Sequence, residues 1–148
     1  PYRELLDDLS QTTGRVQALL AEQSERQAPA GEWGPAQILA HLADVERVYR
    51  GRMQAMLTQE MPYLRPFDAD AAAAEHDYTG RATREALEEF ATERARTLEL
   101  LMNLALKDWD RTGMHDELGD VSLEDLADRL IEHDTEHLAQ LRDALARA

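Results

Sequence analysis

Two histidines stand where a helix should be burying hydrocarbon. In "LIEHDTEHLAQL", residues 130–141, His133 and His137 are four positions apart, so on a helix they share one face, one turn apart. They fall on the apolar stripe of Leu126, Leu130, Leu141 and Ala144. The charged side carries Glu132, Asp134, Glu136 and Arg142 instead. His41 repeats the pattern between Ile38 and Val45, on the inward stripe of another helix. A buried imidazole needs a partner. Three that converge can share one divalent cation, with His-x3-His supplying two ligands and a facing helix the third. The competing reading makes each an ordinary hydrogen-bonded histidine of the core, and spacing alone leaves both open. His76 and His115 fall in predicted loops, as a fourth ligand, a lid residue or, more commonly, solvent-facing side chains.

Two cations accompany them. Arg52 and Arg94 each interrupt an apolar stripe, so either guanidinium can pair a substrate carboxylate. The alternative is a snorkelling side chain or an ion pair with a glutamate. Asp44, Glu46, Asp134 and Glu136 flank the histidines and offer acceptors for imidazole N–H groups, unless they form a solvated face. Trp33 and Trp109 are expected to pack at helix ends.

These residues must be positioned by helices. Leu5, Leu9, Thr13, Val16 and Leu20 recur at helical spacing and predict a first helix over residues 2 to about 26. Pro29, Gly31 and Gly34 then break it. The second helix opens at "WGPAQIL", with Gly34 as N-cap, Pro35 at the first position, Gln37 reaching back and Trp33 stapled to Ile38. It ends near Glu60. Residues 61–81 form a long connection in which "DADAAAAEHDY" predicts a short helix. A third helix is expected from about Thr83 to Lys107, followed by a loop containing Gly113 and Gly119. The fourth starts after Ser122, an N-cap with Asp125 three residues on and a Val121–Leu126 staple. No strand-like alternation is evident. The expected fold is all-α, a four-helix bundle with a long crossover between helices two and three, as a single domain over residues 1–148. If helices two and four run parallel, the histidines fall at neighbouring depths, an arrangement the crossover permits; if antiparallel, an offset is needed.

Composition narrows the function classes. The 148 residues hold 43% hydrophobic side chains, few glycines and prolines, and no cysteine, which excludes disulfides, thiolate metal ligands and a cysteine nucleophile. Sixteen basic residues against thirty acidic give a net charge of −14. Such a field repels nucleic acid and anionic membranes, so neither is expected as a partner. No run is long enough to span a bilayer and "PYRELLDDLS" lacks a secretory pattern; a cytoplasmic location is expected.

The stretches "WGPAQILAHLADVE", "WDRTGMH" with "GDVSL", and "HDTEHLAQL", in order over almost the whole chain, resemble the DinB-like (YfiT-like) superfamily. The resemblance implies a four-helix bundle with a long second connection and a divalent metal held by His41, His133 and His137. It also implies homodimers and, for some members, thiol-transferase or isomerase activity with a low-molecular-weight thiol. The family name refers to induction by DNA damage and implies no DNA chemistry. Three neutral imidazoles leave coordination positions open on zinc, nickel or iron(II). The leading expectation is transfer of a thiol, activated as thiolate, to an electrophilic small molecule. Hydrolysis or isomerisation ranks behind it, because no base is evident beside the triad. The competing class is a non-catalytic, stress-related dimeric bundle with a structural or incidental metal; a sealed metal would favour it, an open one the enzyme.

Overall fold

In the computed structural model of the chain, residues 2–22 and 32–146 are described. Four long helices dominate: α1 (Arg3–Glu22), α2 (Pro35–Thr58), α4 (Thr83–Met102) and α5 (Leu123–Ala146). The short α3 (Ala69–Glu75) forms within the long connection, where a helix was expected, capped by Asp68 accepting the Ala71 N–H. The predicted continuation of α1 to Arg26 and the break at Pro29 and Gly31 lie outside the described residues.

The helix starts follow their local signals. Gln37 Oε1 accepts the Gly34 N–H ahead of Pro35. At α5 the Ser122 hydroxyl accepts the Asp125 N–H and the Asp125 carboxylate accepts the Ser122 N–H, a reciprocal capping box. One boundary differs from expectation: α4 stops at Met102, not Lys107. Asn103 donates its side-chain amide to the Glu99 carbonyl, and Asp108 accepts the Ala105 N–H in a 3-10 turn over Leu106–Asp110. These local polar bonds end the helix although its apolar stripe continues.

A small sheet supplements the bundle. β1 (Tyr63–Leu64) pairs parallel with β2 (Thr112–His115), which forms a hairpin with β3 (Gly119–Ser122). The Leu64 side chain packs over Gly113, where a Cβ would stand 2.9 Å from Leu64 Cδ1 and force that side chain to shift. Gly119, at φ +72°, holds the left-handed turn position that glycine adopts without strain.

Helix directions follow from their partners. Arg47 meets Glu89 and Arg50 meets Glu93, so α2 and α4 run parallel. His41 meets His137 while Tyr49 meets His133, so α2 and α5 run antiparallel. The crossover thus serves α2 and α4, and it is the offset, antiparallel arrangement that brings the histidine-bearing helices together. Leu9 shares a cluster with Leu130 and Leu101, and Val16 with Leu138 and Phe90, which makes α1 parallel to α5 and antiparallel to α4. The principal packing is α1 and α2 each against both α4 and α5. α1 and α2 therefore lie diagonally across the bundle, as do α4 and α5, whereas α2 and α4, joined by the crossover, are neighbours.

The core is divided. One cluster centres on Leu9, Met53, Leu101 and Leu130, the other on Val16, Leu39, Phe90 and Leu141. Between them lie the buried Thr12, Glu46, Arg94 and Asp134, one from each long helix. Among the described residues no helix is long and apolar enough to cross a membrane.

Candidate metal centre

α2 and α5 bring His41, His133 and His137 together: one ring nitrogen of each lies within 4.8 Å of the others. The His41 and His137 Nε2 atoms are 3.2 Å apart. Two nitrogens bound at ~2.0–2.1 Å to one tetrahedral ion would be roughly 3.3 Å apart, so the pair fits an ion without rearrangement. The same separation serves an N–H···N hydrogen bond in its absence. His41 Nδ1 and His133 Nδ1 are buried with no hydrogen-bond partner, so the protein alone leaves the cluster under-satisfied. His41 is buried, whereas His133 and His137 are half-buried, so the cluster is not sealed.

Burial disfavours the charged form of the His41 and His133 rings. Burial is the main cause at His41, reinforced by His137 and His133 and opposed by Asp44; its pKa is lowered to about 4. Burial, then His137, also lowers His133. Neutral imidazole is the form that ligates.

A prediction follows for the metal-free protein. Because the folded His41 pKa of about 4 lies below its ordinary 6.5, the unfolded chain takes up the proton first as pH falls. This contribution to stability is intact above about pH 6.5 and is lost progressively as pH falls towards about 4. The urea midpoint of wild type should therefore drop more steeply over that window than that of His41→Gln. Equal slopes would show that folding does not suppress His41 protonation.

Aromatic rings surround the cluster: Phe67 stacks on His41 at 6.1 Å, Trp33 tilts against it at 5.2 Å, and Tyr49 lies 6.4 Å from His133. The expected end-packing role describes Trp109, buried and stacked on Tyr2, better than Trp33, which forms part of the site wall. The imidazole acceptor at His137 Nδ1 is Gln140 Oε1, at 2.7 Å. Sequence reasoning missed it, although three residues along a helix is a contact spacing.

Three of the four flanking carboxylates are committed elsewhere. Asp44 accepts from His76 Nδ1 at 2.8 Å, from the Tyr78 hydroxyl and from Arg47. Burial and that Asp44 bond raise the Tyr78 pKa, keeping it a donor. Glu46 and Asp134 bind Arg94, and Glu136 is exposed. His76 thus joins Asp44 and not the triad. His115 accepts the Glu117 and Leu118 N–H groups in the β2–β3 turn. Arg94 directs all five guanidinium N–H groups at Glu46, Asp134 and the Leu9 carbonyl. It is an ion-pair residue with no donor left for a substrate. Arg52 keeps open donors.

A four-helix bundle with converging inward imidazoles on two facing helices defines a class of bundle suited to a divalent ion in its core. Residues 4–141 match the model of the DinB superfamily, and the chain belongs to that family. Two proteins of Oceanobacillus iheyensis, both provisionally named metal-dependent hydrolases, are similar to it. One is 29% identical over 125 residues, covering 81% of this chain and 69% of its own length. The other is 25% identical over 131 residues, covering 88% and 75%. The fold is also that of YfiT from Bacillus subtilis, provisionally assigned as a metal-dependent hydrolase and described as having an unusual four-helix bundle topology. The match has a TM-score of 0.82 at 21% identity, over 96% of this chain and 84% of that one. The family model gives the chain's membership, and the relatives similar to it carry provisional names as metal-dependent hydrolases.

Proposed function

We propose that this protein is a divalent-metal-dependent enzyme in which His41, His133 and His137 hold the ion, and that it transfers a low-molecular-weight thiol to an electrophilic small molecule. The observation that carries the proposal is the convergence of three imidazoles within 4.8 Å on an unsealed face of the bundle. Zinc, nickel or iron(II) would suit these ligands, and such an ion supplies Lewis acidity that favours the thiolate over the thiol. Gln140 fixes the His137 ring so that Nε2 faces the cluster. Phe67 and Trp33 flank His41 and present aromatic rings on that side.

Hydrolysis is the second reading, supported by the names of the relatives. A water nucleophile gains most from a nearby general base. Asp44 and Asp134, the buried carboxylates that act on the imidazoles, are already bound to Tyr78, His76 and Arg94. A thiol needs no such base, which supports thiol transfer over hydrolysis. A homodimer in the cytoplasm is the setting proposed with it.

The experiment compares zinc-loaded protein, metal-free protein and His137→Ala in two assays: cysteine conjugation to monochlorobimane, and hydrolysis of p-nitrophenyl acetate. Conjugation should be at least roughly tenfold faster with metal than without, through the greater thiolate fraction, and His137→Ala should lose the gain. Metal-dependent ester hydrolysis alone would replace thiol transfer by the second reading. Equal rates in all three samples in both assays would remove the enzymatic reading.

A further inference from the structure

Arg52 is placed unlike the other arginines of its helix. Arg47 and Arg50 both pair with Glu93. Arg52 has no carboxylate partner among the described residues. Nη2 donates to the Arg65 carbonyl at 2.7 Å, Nε is buried without any partner, and Nη1 makes no hydrogen bond within the described protein. Burial lowers its pKa with only Tyr49 acting the other way. In a chain of net charge −14, a half-buried, unpaired guanidinium is costly unless something anionic uses it.

Its surroundings hold it in position. The guanidinium lies 5.3 Å over the Tyr49 ring, a cation–π contact. Tyr49 in turn lies 6.4 Å from the His133 ring. One aromatic ring thus separates the free cation from the histidine cluster. The carbonyl that anchors it belongs to the crossover segment that also supplies Phe67 against His41. A small bifunctional ligand reaching past Tyr49 would place one end at the histidines and the other at Arg52.

We infer that the substrate carries a carboxylate, and that Arg52 is the residue that binds it while the reacting end lies at His41, His133 and His137. This deepens the proposed function and rests on it only for the reacting end. An end-on contact through Nη1 and Nη2 satisfies a carboxylate with two charge-assisted hydrogen bonds. A neutral analogue of the same size forfeits the charge and leaves the cation unpaired.

The test uses succinate as the anionic probe and succinamide as its neutral counterpart, titrated calorimetrically into metal-free and zinc-loaded protein. Succinate should bind wild type at least about tenfold more tightly than succinamide, Arg52→Gln should lose that preference, and Arg52→Lys should keep part of it. Equal binding of the two probes by wild type overturns the inference without any variant, and so does undiminished succinate binding by a folded Arg52→Gln. If Arg52→Gln does not fold, Arg52→Lys decides: affinity unchanged from wild type overturns the assignment, a several-fold loss supports it. Succinate binding that depends on Arg52 in protein that takes up no zinc would leave the carboxylate site standing while the metal reading falls. Zinc uptake with probe binding indifferent to Arg52 would do the reverse.

Discussion

Arg94→Met should destabilise the protein by roughly 3–5 kcal/mol, the cost of leaving the partners of a buried ion pair uncompensated. Arg94 is 2% exposed. Its Nη2 lies 2.6 Å from Glu46 Oε1 and 2.8 Å from Asp134 Oδ1, and its Nη1 lies 2.8 Å from the Leu9 carbonyl. Thr12 completes the layer by donating to Asp134 Oδ2 at 2.6 Å. Burial opposes the charge on Arg94, but the Glu46 and Asp134 carboxylates outweigh it, so the guanidinium holds its proton more tightly than a free arginine. Methionine fills the volume and removes all five donors, leaving two carboxylates buried near each other. Against a total stability of about 5–15 kcal/mol, that loss is large enough for urea denaturation at neutral pH to read directly. Replacing Arg94, Glu46 and Asp134 together by apolar residues should recover most of it, because no unpaired charge then remains. A single-variant loss below about 1 kcal/mol, the range of exposed pairs, would show that water reaches the layer.

Zinc should have the second large effect. An ion present at a hundred times its dissociation constant stabilises the folded state by about 2.7 kcal/mol, or roughly 5–10 °C in melting temperature for a chain of this size. His133→Ala and His137→Ala should each abolish the shift. His115→Ala should retain it in full, since that histidine is engaged in the hairpin turn. A zinc-induced shift that survives in both triad variants would place the ion elsewhere on the acidic surface. The pKa of about 4 at His41 adds a pH dependence: protons compete little at pH 7, and the shift should shrink as pH falls through the range where the imidazoles titrate.

The candidate site was legible because helical phase is a local property. His41, His133 and His137 share the stripes of Ile38, Val45, Leu130 and Leu141, and no tertiary knowledge is needed to see it. Ser122 and Gly34 were likewise readable, since a cap acts within three residues. What was not legible depends on distant partners. β1 to β3 are two to four residues long, and two of them contain glycines, too short to show alternation; β1 moreover finds its partner far along the chain, with Tyr63 opposite Met114. The antiparallel sense of α2 and α5 has no local signature either. The competing fates of two inward arginines were decided by which residues faced them: Arg94 meets Glu46 and Asp134, whereas Arg52 meets a tyrosine ring and a carbonyl.

The diagonal placement of α2 relative to α1, and of α5 relative to α4, has a consequence for how the chain acquires its structure. An up-and-down bundle can begin as a helical hairpin, with each new helix docking on the last. Here the ties made by α1 and α5 join residues far apart: Leu9 to Arg94 across 85 positions, His41 to His137 across 96, Thr12 to Asp134 across 122. Loop closure over such distances slows folding relative to bundles of local contacts. During synthesis α1 and α2 emerge without their principal partners, and neither the buried charge layer nor the histidine cluster can close until α5 has left the ribosome. Nascent chains of this protein should therefore remain protease-sensitive until α5 has emerged and then become resistant in a single step.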